Sequence, residues 1–368
     1  MNRSVHPPVG CALTLLLCLL PVGVAGNEQE VTVEDVAAEL QRRQQRVRSA
    51  RIVWELTRTY PKGSLQDDVE SELELESDTS ATYPAKDTTV RAEYTLWLEG
   101  SKWKSTRQGK IWGMNVRRFV EHHSFASSDG HASRSFIAAE DLASAPFGVE
   151  HHNGQCKEIT LVEYGPLLWS FRATDPMRES GRFVAEEWSV SNAREELDGV
   201  ECVVLKRTYE RPRVDEAWFA PGQGFSLVQY RRFDKGQLTL QIDVEHSRDN
   251  DHGWVPATWK ITSMLPDGKL DWLMSGTVKE YAINLTIDPQ TFAPEFPVGT
   301  VVRDERTDSQ YLVTEDGEKP RVAFVNNTIV RLEDDSYPLA FWLGLAGLGI
   351  GLVLLILLGR RAKVRIRQ

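Results

Sequence analysis

Five of the eight histidines lie between positions 122 and 152, in the triplets Glu121-His122-His123 and Glu150-His151-His152, with His131 between them. Imidazoles and carboxylates that converge in space are what a transition-metal ion binds. Neighbouring residues on a strand point to opposite faces, however, so each His-His pair can lend only one ring to a shared site. Nor does the spacing match the helix-borne HExxH arrangement. The histidines are therefore read as loop residues, and no metal is expected. A second cluster, Asp67, Asp68, Glu70, Glu72, Glu74, Glu76 and Asp78, lacks the glycine that turns a calcium loop. The alternation of its glutamates with Ser71, Leu73 and Leu75 fits a strand with one solvated acidic face. No GxSxG elbow, Walker loop or GxGxxG after a strand is present, and nothing marks two carboxylates as buried together. The chain is expected to be non-catalytic and without a cofactor.

What remains is aromatic and apolar. Trp54, Trp97, Trp103, Trp112, Trp169, Trp188, Trp218, Trp254, Trp259 and Trp272 stand outside the C-terminal apolar run, most of them on expected strands. Tryptophan buries a large area and favours strands, so these residues make a core, a greasy concave face, or both. The stretch 197–263 organises the rest. It divides into successive antiparallel strands broken at Asp198-Gly199, Pro221-Gly222, Asp234-Lys235-Gly236 and Asp251-His252-Gly253. Within it Leu238, Leu240, Ile242 and Val244 alternate with Thr239, Gln241, Asp243 and Glu245, which gives one dry face and one polar face. Upstream, Val33, Val36, Ala37, Leu40 and Val47 recur at helical spacing over 32–50, with Thr32 as N-cap. Ile52, Trp54 and Leu56 then open the first strand. Further strands are expected over 90–98, 102–106, 117–125, 131–138, 182–190 and 271–285. A short helix is expected over 165–177, carrying Leu167, Leu168 and Phe171.

The ends have a different character. Residues 1–25 carry Arg3, an apolar run from Cys11 to Leu20 and a small-residue close, the layout of a cleaved signal peptide. Residues 339–358 hold no charge, and Arg360, Arg361, Lys363, Arg365 and Arg367 follow. This predicts a single-pass transmembrane helix in the cytoplasmic (inner) membrane, with a basic cytoplasmic tail over 359–368 and the remainder outside the cytoplasm. Residues 292–337, turn-rich at Pro294, Pro297 and Gly299, are read as a membrane-proximal extension standing apart from the main sheet. That leaves 26–291 as the folded domain. The formal net charge of −10 becomes more negative still once the tail cations are set aside, which argues against nucleic acid as a partner. Between the ends lie only Cys156 and Cys202. In an oxidising compartment they form one disulfide, or Cys202 is a buried thiol beside an unrelated Cys156.

A leading helix running into SARIVWELTRTY, then DGVECVVLK, EAWFAPGQGFSLVQYRRFDKGQLTLQI and WVPATWKIT, resembles the bacterial lipoprotein-carrier superfamily with the LolA/LolB-like fold. The Asp198-Gly199 turn, the aromatic–turn–aromatic step from Trp218 to Phe225 and the closing strand at Trp259 carry the likeness, over roughly residues 30–290. The resemblance implies an α+β, mainly β molecule. A curved antiparallel sheet forms an unclosed half-barrel, with an N-terminal helix and one or two short capping helices. It also implies a concave face that holds lipid or lipoprotein acyl chains. By alternation Ile52, Trp54, Leu56, Leu238, Leu240 and Ile242, with Trp259 on the closing strand, are the candidates for that face. Soluble carriers move freely, whereas a tethered chain cannot. A second expectation is therefore a module that senses envelope state through a protein partner, resembling regulators of anti-sigma factors.

Overall fold

The first helix, α1 (Val33–Arg46), begins where its sequence says it should. Thr32 Oγ1 accepts from the Asp35 amide at 3.2 Å while Asp35 Oδ2 accepts from the Thr32 amide at 2.9 Å, a reciprocal cap on two otherwise unpaired donors. Glu34 and Asp35 occupy the first turn and Arg43 and Arg46 the last, matching the helix dipole at both ends. Val33, Val36 and Leu40 turn inward. A computed structural model describes residues 31–64, 84–113, 118–139, 145–152, 161–175, 182–210, 212–325 and 328–332.

The strands are β1 (Ser49–Tyr60), β2 (Thr88–Glu99), β3 (Lys102–Gly113), β4 (Arg118–Ser128), β5 (Ser133–Ala139) and β6 (Phe147–His151). After the helix α2 (Leu161–Phe171) come β7 (Ser189–Leu197), β8 (Val200–Thr208), β9 (Arg213–Ala220), β10 (Ser226–Asp234), β11 (Gln237–Asp249), β12 (Gly253–Met264) and β13 (Leu270–Ile283). Two short hairpins follow, β14 (Val301–Asp304) with β15 (Ser309–Leu312), and β16 (Val322–Val325) with β17 (Thr328–Arg331). Fifteen strands form one sheet in the order β15-β14-β6-β5-β4-β3-β2-β1-β13-β12-β11-β10-β9-β8-β7. The two meanders meet at β1, which pairs with β2 on one side and β13 on the other. The outermost strands β15 and β7 do not pair, so the sheet is curved but unclosed. Register shifts at Val53/Trp54, Arg232/Phe233, Glu245/His246 and Ser263/Met264 supply bulges that bend it.

The expectation for residues past 291 changes. β14 pairs in parallel with β6, Val301 opposite Phe147 and Asp304 opposite Glu150, so this hairpin extends the main sheet rather than standing apart from it. Its fasteners include the histidines of the second triplet. His151 Nδ1 lies 2.7 Å from Glu305 Oε2 and His152 Nε2 lies 2.9 Å from Asp304 Oδ1. Glu150 accepts from Arg134 Nε at 3.0 Å and from the Tyr311 hydroxyl at 3.0 Å. Both histidine pairs therefore sit on or beside strands, and sequence spacing alone does not show the strand that recruits them.

The expected transmembrane helix, and with it the single-pass placement in the cytoplasmic membrane, is corrected as far as the described residues reach. Among the described residues no helix is long and apolar enough to cross a membrane. The longest, α1, has 14 residues, which at 1.5 Å per residue falls short of a hydrocarbon core of about 30 Å. Residues 339–358 themselves lie outside the described residues, as do the signal-like residues 1–25 and most of the acidic run, 65–83.

Candidate functional site

The sheet's inner face is filled unevenly, and the unevenness defines the site. Over β1, β2 and β8–β13 it is a continuous core. Ile52, Trp54, Leu56, Leu240, Ile242 and Trp259 all belong to it, each less than a tenth exposed. Leu238 is half-buried near the start of β11, just before a bulge. Six of the seven residues expected to line a ligand surface are thus in contact with the protein's own side chains. Helix α2 supplies much of the filling. Tyr164 meets Trp54 edge-on at 5.5 Å, and Trp169 lies within 6.4 Å of Phe183, Trp188, Phe219 and Tyr230. Trp54 also stacks on Tyr94 at 5.1 Å and approaches Trp259 at 6.3 Å. Trp259 lies directly opposite Gly276, where an added Cβ would sit 2.1 Å from the indole. Only glycine leaves room for that ring.

Beyond β2 the same face continues with smaller residues. One rung of the ladder runs Trp54, Tyr94, Arg107, Ser124, Ile137, Phe147, and the next runs Ile52, Leu96, Ser105, Ala126, Ser135, Val149. Aromatic and leucine side chains give way to serine and alanine at β3 and β4. Among the described side chains, helix α2 reaches this region with Glu163 and Tyr164. These residues, with Ile111 and His122, enclose a partly open cleft of about 440 Å³, within the ~300–1,000 Å³ typical of small-molecule sites. The opposite face of these strands is covered. Phe125 stacks on Phe136 at 5.2 Å and on Phe296 at 5.9 Å, and Phe296 lies so close over Gly148 that a Cβ there would meet it at 2.6 Å. The floor of the cleft is therefore clamped from behind by the segment that leads into β14.

The cleft is amphipathic. Ile111, Ile137, Phe147 and Val149 are its apolar part. Its charged part is Arg107, whose Nη1 lies 3.8 Å from Glu163 Oε1, an ion pair too long to be a hydrogen bond. The same guanidinium stands 5.6 Å from the Tyr94 ring, and its Nε is buried without a hydrogen-bond partner. Burial, reinforced by Glu163, holds the Tyr94 phenol well above its ordinary range. His122 sits beside this pair. Its Nε2 is 2.9 Å from Ser124 Oγ, and its Nδ1 is buried and unpartnered. Burial, then the charge of Arg107 and the neighbouring His123, pushes the imidazole down to about 4, so it is neutral near pH 7.

A serine beside a histidine invites a hydrolytic reading, which the geometry does not favour. An acyl-transfer pair needs a base near the working pH and a third group that orients it. Here the imidazole is a poor base, and Nδ1 has no carboxylate. Among the described residues no group of histidine, cysteine or acidic side chains is arranged to hold a metal ion. The arrangement can bind and orient. It is not equipped to activate a nucleophile.

The placement of the remaining expected residues is plain. Cys202 is a buried free thiol on the outer face of β8, beside Val204, Trp218 and Ala220. Burial, then Glu195 and Glu201, raises it to about 11. Cys156 lies outside the described residues. The residues that sequence reasoning missed are Arg107, Glu163 and the serines Ser105 and Ser135. Over 104–110 both strand faces are polar or small, so alternation names no inner face. For His122 and His123 strand parity does hold, with His122 buried in the cleft and His123 exposed.

No protein-family model matches the chain, and no curated protein matches it. Several solved structures are similar. A DUF1329 family protein from Desulfovibrio piger aligns with a TM-score of 0.42 at 10% identity, over 71% of this chain and 96% of its own. A domain described as an outer membrane lipoprotein-sorting protein, from Vibrio parahaemolyticus, gives 0.40 at 12%, over 71% and 95%. A LolA superfamily protein from Nitrosomonas europaea gives 0.37 at 13%, over 71% and 97%. At TM-scores below 0.5 these likenesses carry no fold, ligand or activity over to this chain.

Proposed function

We propose that this chain is a non-catalytic binding protein for an amphiphile with an apolar tail, an acyl chain of a lipid or lipoprotein, and that the tail lies in the cleft between β3–β6 and α2. One observation supports this above the others. A single sheet face is solid where α2 crosses it and hollow where it does not. The hollow half offers apolar residues beside a polar end. Burying an apolar tail against Ile137, Phe147 and Val149 gains about 25 cal/mol per Å² removed from water. The polar head would remain near Arg107 and the mouth, where leaving it unpaired would otherwise be costly.

Titrating the full-length chain with a fluorescent single-chain amphiphile below its micelle concentration tests this reading. Saturable binding at one tail per chain is expected, and Ile137→Trp, which projects an indole into the cleft, should abolish it while the unfolding midpoint holds. Binding undiminished by Ile137→Trp, or no saturable binding, would remove the cleft from consideration.

A further inference from the structure

The proposal of an amphiphile leaves open what head group the cleft prefers, and its polar end bears on that. Among the described lining residues Arg107 is the cation, and it is incompletely used. Its contact with Glu163 is 3.8 Å, its contact with Tyr94 is through the ring face, and its Nε–H is buried without a partner. A guanidinium presents a planar fork that fits a carboxylate or a phosphate with two parallel hydrogen bonds. The number of charges separates these two. Glu163 already places one negative charge beside Arg107, so a singly charged head can exchange with it, whereas a doubly charged head would face it in repulsion. His122 lines the same cleft and adds no charge; its Nδ1 is buried and unpartnered, and the Ser124 hydroxyl, on the residue paired with Arg107, lies 2.9 Å from its Nε2.

Resting on the amphiphile reading above, we infer that the polar end of the cleft selects a monoanionic carboxylate head, with Arg107 as its partner and Glu163 as a built-in competitor that sets the affinity. The protein would then take a free fatty acid, or another carboxylate-headed single-chain molecule, in preference to a neutral or cationic one of the same tail. Glu163 would give up its loose pairing when the ligand arrives.

The test uses decanoate, decanol, decyl phosphate and decyltrimethylammonium, each displacing a fluorescent amphiphile from the full chain at a pH where the acid is ionised. Decanoate is expected to bind about ten-fold or more tighter than decanol, with decyl phosphate weaker than decanoate and the cation weakest. Glu163→Gln should tighten decanoate several-fold and leave decanol unmoved. Arg107→Gln should bring acid and alcohol to the same affinity. Equal affinity for acid and alcohol in the parent chain, or a Glu163→Gln variant that binds decanoate no better, would overturn the head-group assignment while leaving tail binding intact. Stronger binding of the phosphate would also overturn it. Failure of all four molecules to bind would remove the amphiphile reading along with this one.

Discussion

Two halves of one concave face have been built to opposite ends. From β8 through β13 to β2 the inward residues are large and aromatic, and α2 lies against them, with Tyr164, Trp169 and Phe171 filling the hollow. From β3 to β6 the hydrogen-bonded ladder is as regular, but the inward residues lining the cleft are mostly small or polar, Ser105, Arg107, His122, Ser124, Ala126 and Ser135, with Ile137, Phe147 and Val149 as its apolar wall. The backbone is continuous across the boundary, so the difference is one of side-chain volume and of where the helix ends. An aromatic that fills a gap raises stability and removes a cavity. A serine in the same register keeps the cavity and leaves polar atoms in it. Stability is therefore expected to be concentrated in the filled half, with the open half forgoing the part that filling its cleft would add.

Substitutions can break or sharpen that contrast. The largest effect belongs to Trp54→Ala, which removes the ring that Tyr94, Tyr164 and Trp259 all touch. It should cost about 3–5 kcal/mol by chemical denaturation, whereas Ile137→Ala, in the cleft wall, should cost about 1 kcal/mol. Equal losses would erase the distinction between the halves. Acid provides the next effect, because His122 in the cleft and His246 on β11 are both depressed from 6.5 to about 4, each chiefly by burial. A histidine held neutral in the native state lets the unfolded chain take up protons first, so stability falls as the pH drops from about 6.5 toward 4 and these two groups add no further loss below that. Each contributes at most roughly 3 kcal/mol. Denaturation curves at pH 7 and pH 4.5 should show a smaller loss in His122→Gln than in the parent. Gly276→Ala should cost about 1–3 kcal/mol through collision with Trp259, and a neutral result would mean that the indole can move aside. Smallest is Ile137→Trp, expected to shift stability by under about 1 kcal/mol because the cleft accepts the added volume.

The filled half was legible in the sequence. Ile52, Trp54 and Leu56, and Leu240, Ile242 and Val244, alternate with less buried residues, and strand parity sends them all inward. What parity cannot show is whether an inward apolar face meets a ligand or a helix of the same chain, and here α2 takes the place in the sequence of a ligand. The open half was much less legible. Lys104, Ser105, Thr106, Arg107, Gln108 and Gly109 have no dry side, so nothing in their order singles out Arg107. Glu163 comes from a helix that starts more than fifty positions later, and no local pattern joins the two. The pairing of β14 with β6 was also invisible, since a parallel contact of four residues leaves no periodic trace.

The central claim is that ligand enters the hollow half and leaves the filled half undisturbed. Determining the structure of the full chain with bound decanoate tests this most directly. The account predicts one extended tail between β3–β6 and Tyr164, its carboxylate at Arg107 with Glu163 turned away, and the Trp54 cluster unmoved. A tail lodged between α2 and β10–β12, with Trp169 displaced from Phe219 and Tyr230, would contradict it.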